Sequence, residues 1–366
     1  MVKIISFIKK ESVLFISLLL AVASMFFVVP DSEYLTYIDI RTLCLLFCLM
    51  AVMAGFAQAG LFTFCANHLL SKAKNTRSII LILTLLCFFF SGIITNDVAL
   101  ITFVPFAITV LNVAGKTTLI PITVILQTVA ANMGSCLTPI GNPQNIYIFN
   151  ISNLSFFDFL LLLLPYSAVT LLVLLIIIFT IKNEAVSSVR ERTGLNIKST
   201  LQFSLLFVLS LLAVFGVVNH LVCLIVLVLA LIFWDRKLIL KVDYSLLLTF
   251  VGFFIFVGNM GRFPAVHNMI ESLMSGREIV FSAIISQVIS NVPAALLLSG
   301  FTDNMSALLI GVNIGGLGTL IASMASLISY KYVAVALPDK KARYLLVFSL
   351  LNFALLGIMA FMSFII

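Results

Sequence analysis

Runs of about twenty apolar residues recur along this chain, at 12–29, 42–64, 156–181 and 344–366, and each matches the ~20 residues a helix needs to cross the hydrocarbon core of a bilayer. Lipid offers no water to satisfy backbone N–H and C=O groups, so only helices or a closed barrel can be built from such runs. The ten-residue segments of alternating polarity that mark a barrel are absent. Composition agrees: 62% of the 366 residues are hydrophobic and 10% are charged, against roughly 25% charged in a water-soluble domain. The expected fold class is an all-α polytopic membrane protein.

The net charge of +7 follows membrane topology, so no nucleic-acid partner is expected. With Lys3, Lys9 and Lys10 inside, the first span exits at Pro30-Asp31-Ser32-Glu33 and the second, 42–64, returns to Lys72, Lys74 and Arg77. Segment 78–114 is broken at Thr95-Asn96-Asp97 and ends near Lys116, and 117–149 leads out to the uncharged 150–155. Span 156–181 returns to a linker holding Lys182, Arg190, Arg192 and Lys198. Spans 201–218 and 221–234 end at Arg236, Lys237 and Lys241, and 245–261 leads out to 262–278. A broken segment, 279–301, precedes 305–337, which ends at Lys340, Lys341 and Arg343, and a last span, 344–366.

If 78–114 and 279–301 each turn back to the side they entered, every Lys and Arg except Arg41, Arg262 and Arg277 falls inside. Single crossings would put the cations from Lys182 to Lys241 outside, against the positive-inside rule. The limbs of 279–301 are about ten residues, or ~15 Å, too short for two spans; those of 78–114 are longer and leave two short spans open. The expected organisation is an N-terminal repeat, 1–181, with a re-entrant hairpin at about 78–114 and a broken helix at 117–149. A cytoplasmic linker, 182–200, leads to a C-terminal repeat, 201–366, with a hairpin at about 279–301 and a broken helix at 305–337. The N-terminus is expected in the cytoplasm and the C-terminus outside the cell (inner) membrane. Ala21-Val22-Ala23 resembles a signal-peptidase site, but the apolar run continues to Val29, so a retained first helix is expected.

The halves repeat one another. Ser91-Gly92-Ile93-Ile94-Thr95-Asn96-Asp97 aligns with Ser286-Gln287-Val288-Ile289-Ser290-Asn291-Val292. Asn132-Met133-Gly134-Ser135 and the following Thr138-Pro139-Ile140-Gly141-Asn142 align with Asn313-Ile314-Gly315-Gly316 and the following Thr319-Leu320-Ile321-Ala322-Ser323. A fainter match sets 42–55 over 245–258. On the topology above the first broken segment enters from inside and the second from outside, so the expected repeats are inverted, an architecture that places the site where the breaks meet.

Non-helical backbone at membrane depth persists only where it is buried in protein or lines a polar cavity. In the break from Gly134 to Asn145, Pro139 and Pro143 remove helical donors while Gly134 and Gly141 permit unusual dihedrals. Freed carbonyls with Asn, Ser and Thr oxygens suit a hard cation such as Na⁺, and half-helix N-termini suit an anion. The plainer alternative at each break is a closely packed kink with interhelical hydrogen bonds. Asp97 is the acid farthest from any expected interface, and an intramembrane carboxylate is by default a functional residue, binding a cation, carrying a proton or both; the alternative is a structural acid bound to hairpin amides. The six cysteines are scattered without a C-x-x-C pair and read as packing residues. His68, His220 and His267 do not cluster, which argues against a metal centre, and no H-E-x-x-H or G-x-S-x-G motif points to an enzyme.

At Thr95-Asn96-Asp97, Ser290-Asn291-Val292 and Thr138-Pro139-Ile140-Gly141-Asn142-Pro143-Gln144-Asn145 the chain resembles the ion transporter superfamily, which includes divalent anion–sodium symporters, citrate-type carriers, arsenite permeases and sodium/proton antiporters. The resemblance covers nearly the whole chain. It implies Na⁺-site roles for Thr95, Asn96, Ser290 and Asn291, with Gly134, Thr138, Gly316 and Thr319 facing them and Asp97 joining the ion site. It implies a substrate site drawn from Asn96, Asp97, Pro139, Gly141, Asn142, Asn145, Asn291, Val292 and Ser323. The symporter tips read Ser-Asn-Thr; here Asp97 and Val292 replace the two threonines, which leaves room for proton coupling or another anion. The resemblance further implies a homodimer, an elevator motion, and no cofactor beyond Na⁺ or H⁺ as coupling ion. The expected activity is symport of a small carboxylate or oxyanion; Na⁺/H⁺ antiport through Asp97 and arsenite-type oxyanion efflux are the alternatives.

Overall fold

The structure, a computed structural model, describes residues 11–71, 73–186 and 194–365. Lys3, Lys9, Lys10, Lys72, Arg190 and Arg192, all used in the orientation argument, lie outside the described residues. Among those described the chain is helical, with no β-strand. The principal helices are α1 (Ser12–Met25), α2 (Ile40–Gln58), α3 (Leu61–Leu70), α4 (Thr76–Ile94), α5 (Asn96–Val113), α6 (Ile120–Gly134), α7 (Pro143–Ile151), α8 (Phe156–Thr180) and α9 (Ile197–Val214). After them come α10 (His220–Trp234), α11 (Tyr244–Gly261), α12 (Pro264–Met274), α13 (Glu278–Ile289), α14 (Asn291–Leu298), α15 (Met305–Ile314), α16 (Met324–Ala336) and α17 (Lys341–Met362). Eight helices among the described residues are long and apolar enough to cross a bilayer, or up to 9 with a bent pair counted as one span.

Polar residues between the apolar runs start the helices. Asp39, Asn75, Asn196, Asn219, Asp243 and Asn304 each accept a first-turn backbone N–H, opening α2, α4, α9, α10, α11 and α15, and Ser155 with Asp158 forms a capping box on α8. Such caps satisfy N–H groups that the helix itself leaves unpaired. The run 42–64 is divided: α2 ends at Gln58, Gly60 takes a φ of 78°, and α3 begins at Leu61. The stretch 262–278 carries the helix α12, which has Pro264 in its first turn and is bent by 112° from α13.

Segment 78–114 folds as α4 and α5, of 19 and 18 residues, each long enough for a full crossing. The aligned α13 and α14 have 12 and 8 residues. Helix α1 lies along α11, and α9 and α10 pack on α2. Helices α4, α5 and α6 form a second group, with α16 against α5 and α6 and α13 against α15. Helix α6 is the most deeply buried of the long helices: 83% of an 18-residue window in Thr117–Leu137 is buried, against 22% of one in Pro338–Met362.

Candidate functional site

Thr95 and Ser290 are the two described non-glycine residues with positive φ. Their dihedrals nearly coincide, at φ 75°, ψ 151° and φ 77°, ψ 155°. This region is almost confined to glycine, and holding another residue in it costs about 1–3 kcal/mol. At each point one helix ends and the next begins without a side-chain cap.

The same correspondence runs through the mid-chain breaks. Thr138 Oγ1 donates to the Gly92 carbonyl, and the aligned Thr319 Oγ1 donates to the Gln287 carbonyl at 3.0 Å. The Gly141 N–H donates to Thr138 O at 3.3 Å, and the Ala322 N–H to Thr319 O at 3.2 Å. The Asn145 N–H donates to Asn142 O at 3.1 Å, and the Ser326 N–H to Ser323 O at 3.0 Å. A Cβ on Gly134 would lie 2.8 Å from the Cα of Phe88, and one on Gly315 would lie 2.9 Å from the Cα of the aligned Ala283. Each tip is thus seated on its own break by a threonine hydroxyl and a glycine contact.

Asparagines then join the halves. Asn132 Oδ1 accepts from Asn96 Nδ2 at 3.1 Å and from Ser323 Oγ at 2.9 Å, and its Nδ2 donates to Gly316 O at 3.4 Å. Asn313 Nδ2 donates to Asn145 Oδ1 at 2.8 Å, and Asn145 Nδ2 donates to Ser135 O and Thr138 O, both at 3.2 Å. Asn142 Nδ2 donates to Ser135 Oγ at 2.6 Å. The Asn291 N–H donates to Ala322 O at 2.9 Å, and Asn291 Oδ1 accepts the Val292 N–H at 3.0 Å. Gln287 Nε2 donates to Gly315 O at 2.8 Å and Leu317 O at 3.0 Å, and its Oε1 accepts the Thr319 N–H.

Asn132, Asn313, Ser135 and Gln287 are residues that the sequence reading left outside the site. Their signal was present for three of them: Asn132 and Asn313 open the aligned break motifs and Ser135 lies within one. Pro139 and Gly141 are buried in the first break, where a Cβ on Gly141 would lie 2.8 Å from the Cα of Ser135.

Two cavities abut the tips. The larger, about 540 Å³, is lined by Thr95 and Asp97 at the start of α5, by Pro143 and Ile146 of α7, and by the α2 residues from Leu46 to Gln58 that face it. Val98, Ile101 and Thr102 of α5 and, from the start of α11 and the chain before it, Lys241, Asp243 and Leu246 complete its wall. The smaller, about 50 Å³, is lined by Ser290 between α13 and α14, by Val292 and Pro293 of α14 and by Met324 of α16, together with Glu11, Asp243 and Leu246. Aligned positions face the two spaces, Thr95 with Ser290, Asp97 with Val292, and Pro143 with Met324. Asp97 and Val292 therefore line separate cavities.

Helices α5, α7, α14 and α16 all begin here without a side-chain cap, so their N-terminal dipole ends favour negative charge. Acceptor atoms are also held ready: Asp97 Oδ1, Asn142 Oδ1, Asn313 Oδ1, Gln144 Oε1 and Ser326 Oγ are buried without a hydrogen-bond partner. Oxygens of this kind suit Na⁺, so the residues fit a cation as well as an anion. No cluster of three or more His, Cys, Asp and Glu occurs among the described residues.

The profile of the citrate transporter family matches residues 4–309. The chain belongs to this family. An uncharacterized transporter of Methanocaldococcus jannaschii is 32% identical over 311 residues, 83% of this chain and 84% of that protein. The inner membrane protein YbiR of Escherichia coli is 31% identical over 303 residues, 80% of each chain. The silicon efflux transporter LSI3 of Oryza sativa is 34% identical over a shorter stretch, 142 residues, or 38% of this chain and 28% of that one. This member of the citrate transporter family is an integral membrane transporter.

Proposed function

We propose that the protein is a secondary active carrier of a small anion, a carboxylate or oxyanion, driven by Na⁺ or H⁺, with its site where the two tips and two breaks meet. The observation that carries this reading is the duplicated geometry of Thr95 and Ser290, each seated on its own break by Thr138 or Thr319. The strain held at these positions is of the kind found at ligand clamps. Coupling-ion roles fall to Thr95, Asn96, Asp97, Ser290 and Asn291, and substrate contacts to the uncapped starts of α5, α7, α14 and α16. The cavity of about 540 Å³ lies in the range of small-ligand sites.

On this reading the repeats are inverted in the membrane, the N-terminus is cytoplasmic, and α4 to α8 with α13 to α17 move as an elevator against α1, α2 and α9 to α11 in a homodimer. Within each group the helices pack mainly on one another, with α11 on α14 and α2 on α7 as the main contacts between groups, a pattern that supports the motion.

Asp97 favours a second reading, Na⁺/H⁺ antiport, because its carboxylate lines the cavity. Proteoliposome flux separates the two. Antiport moves protons on a sodium gradient with no organic or oxyanion solute present; symport requires that solute. Under both readings Asp97→Asn abolishes transport or removes its pH dependence while the protein still inserts. Unchanged flux across pH would take Asp97 out of the mechanism.

A further inference from the structure

Asp243, at the start of α11, lines both cavities: the larger one that reaches Thr95 and Asp97 and the smaller one that reaches Ser290 and Val292. It sits on neither tip and in neither break. Its Oδ1 accepts the Leu246 N–H at 3.0 Å, so capping α11 anchors the carboxylate at this common wall.

We propose that Asp243 is the cation-steering residue of the carrier, drawing the coupling ion to a mouth shared by the sites of both halves; this rests on the reading that transport is cation-coupled. A fixed charge at the mouth of a cavity with low-dielectric walls focuses the field and raises the local concentration of the opposite ion.

The charges facing Asp243 favour a cation. Asp97 lines the larger cavity from α5, sharing its wall with Asp243. Lys241 is the cation among them, and its ammonium donates to Gln58 Oε1 at 2.7 Å, on α2. Gln58 Nε2 in turn donates to Asp235 Oδ2 at 2.6 Å, which sets a further acid beside that group. Among the described residues, two carboxylates, Asp97 and Asp243, therefore line the larger cavity against one ammonium held to the side.

Because asparagine caps a helix about as well as aspartate, Asp243→Asn removes the charge and leaves the start of α11 intact, and Asp243→Ser provides a second neutral cap. The probe is radioactive sodium, measured as equilibrium binding to the purified full-length chain and as uptake into proteoliposomes. At low ionic strength both variants are expected to raise the half-saturating sodium concentration by about threefold or more with the maximal uptake retained. That difference is expected to vanish as choline chloride is raised to about 0.3 M, because exposed charges are screened within a few ångströms there. A purely structural role would change the maximum, or persist in salt. Unchanged half-saturation at low salt, or a shift that salt leaves intact, overturns the proposal. A wild-type protein with no saturable sodium binding and no proton-coupled flux overturns the coupling reading itself, and the steering role with it.

Discussion

At Gly134 and Gly315 the missing Cβ is what lets two helices of a half touch at their backbones. A methyl group on either would press within 3 Å of a helix backbone, that of Phe88 or Ala283, and overpacking of this kind typically costs about 1–3 kcal/mol. Gly134→Ala and Gly315→Ala are therefore each expected to lower the thermal midpoint of the detergent-purified protein and to depress transport. Gly357→Ala, where a Cβ meets nothing within 4 Å, serves as the control and is expected to be neutral or mildly stabilising. Equal midpoints for all three would show that the close seating does not hold the site together. Much at this scale was legible in sequence, because clusters of glycine, proline, Asn, Ser and Thr interrupt a helix that the apolar residues around them would otherwise continue. Asn132 and Asn313 open the aligned motifs, but an Asn on a helix does not disclose which helix its amide will meet, so their part in the site could not be read from sequence. Asp243 escaped as well, since from sequence it is simply an acid at the end of a span.

Among the elements, the segment after α8 is tied to the base of the α4–α5 pair. Thr76 Oγ1 donates to Lys182 O at 2.9 Å, Arg77 Nε donates to Ile181 O at 2.6 Å, and the Thr76 N–H donates to Glu184 O at 2.9 Å. The Glu184 carboxylate then pairs with Lys116 at the far end of α5 and with Lys182 at 3.0 Å. The hydrogen bond from Lys116, and next that from Lys182, pull the Glu184 carboxyl down to about 2 from an ordinary 4.5. A carboxylate held lower in the folded state contributes stability above its ordinary value and loses it as pH falls toward its folded value. The midpoint difference between wild type and Glu184→Gln is therefore expected to stay constant from pH 8 to 5 and to shrink between about 4.5 and 2. A difference that does not depend on pH would mean the pair does not fasten these elements. The sequence marked the helix starts well, since Asp39, Asn75, Ser155 and Asn219 each stand at the head of an apolar run and each caps one. It missed the division at Gly60 because the residues on both sides remain apolar, and only the left-handed backbone there shows that α3 is separate from α2. Helix α12 was hidden for the opposite reason: its mixed composition reads as a loop.

For the whole molecule, composition alone was decisive about solvent, and the aligned motifs forecast which positions would share a local geometry. What they could not forecast is how the pieces nest: α16 lies against α5, α14 against α7, and Asp243 stands between the two cavities. Such contacts arise from packing between distant parts of the chain, which no local pattern encodes. The central claim is that two halves of opposite orientation bring their tips and breaks to one level of the bilayer. The loops that lead into α6 and α15 test it most directly, because they occupy equivalent places in the two repeats. Single cysteines at the exposed Thr118 and Asp303, in a background lacking the six native cysteines, are to be labelled in intact cells with a membrane-impermeant maleimide. The expected result is reaction at Asp303→Cys from outside and at Thr118→Cys only after the membrane is opened; labelling of both from the same face would contradict the account.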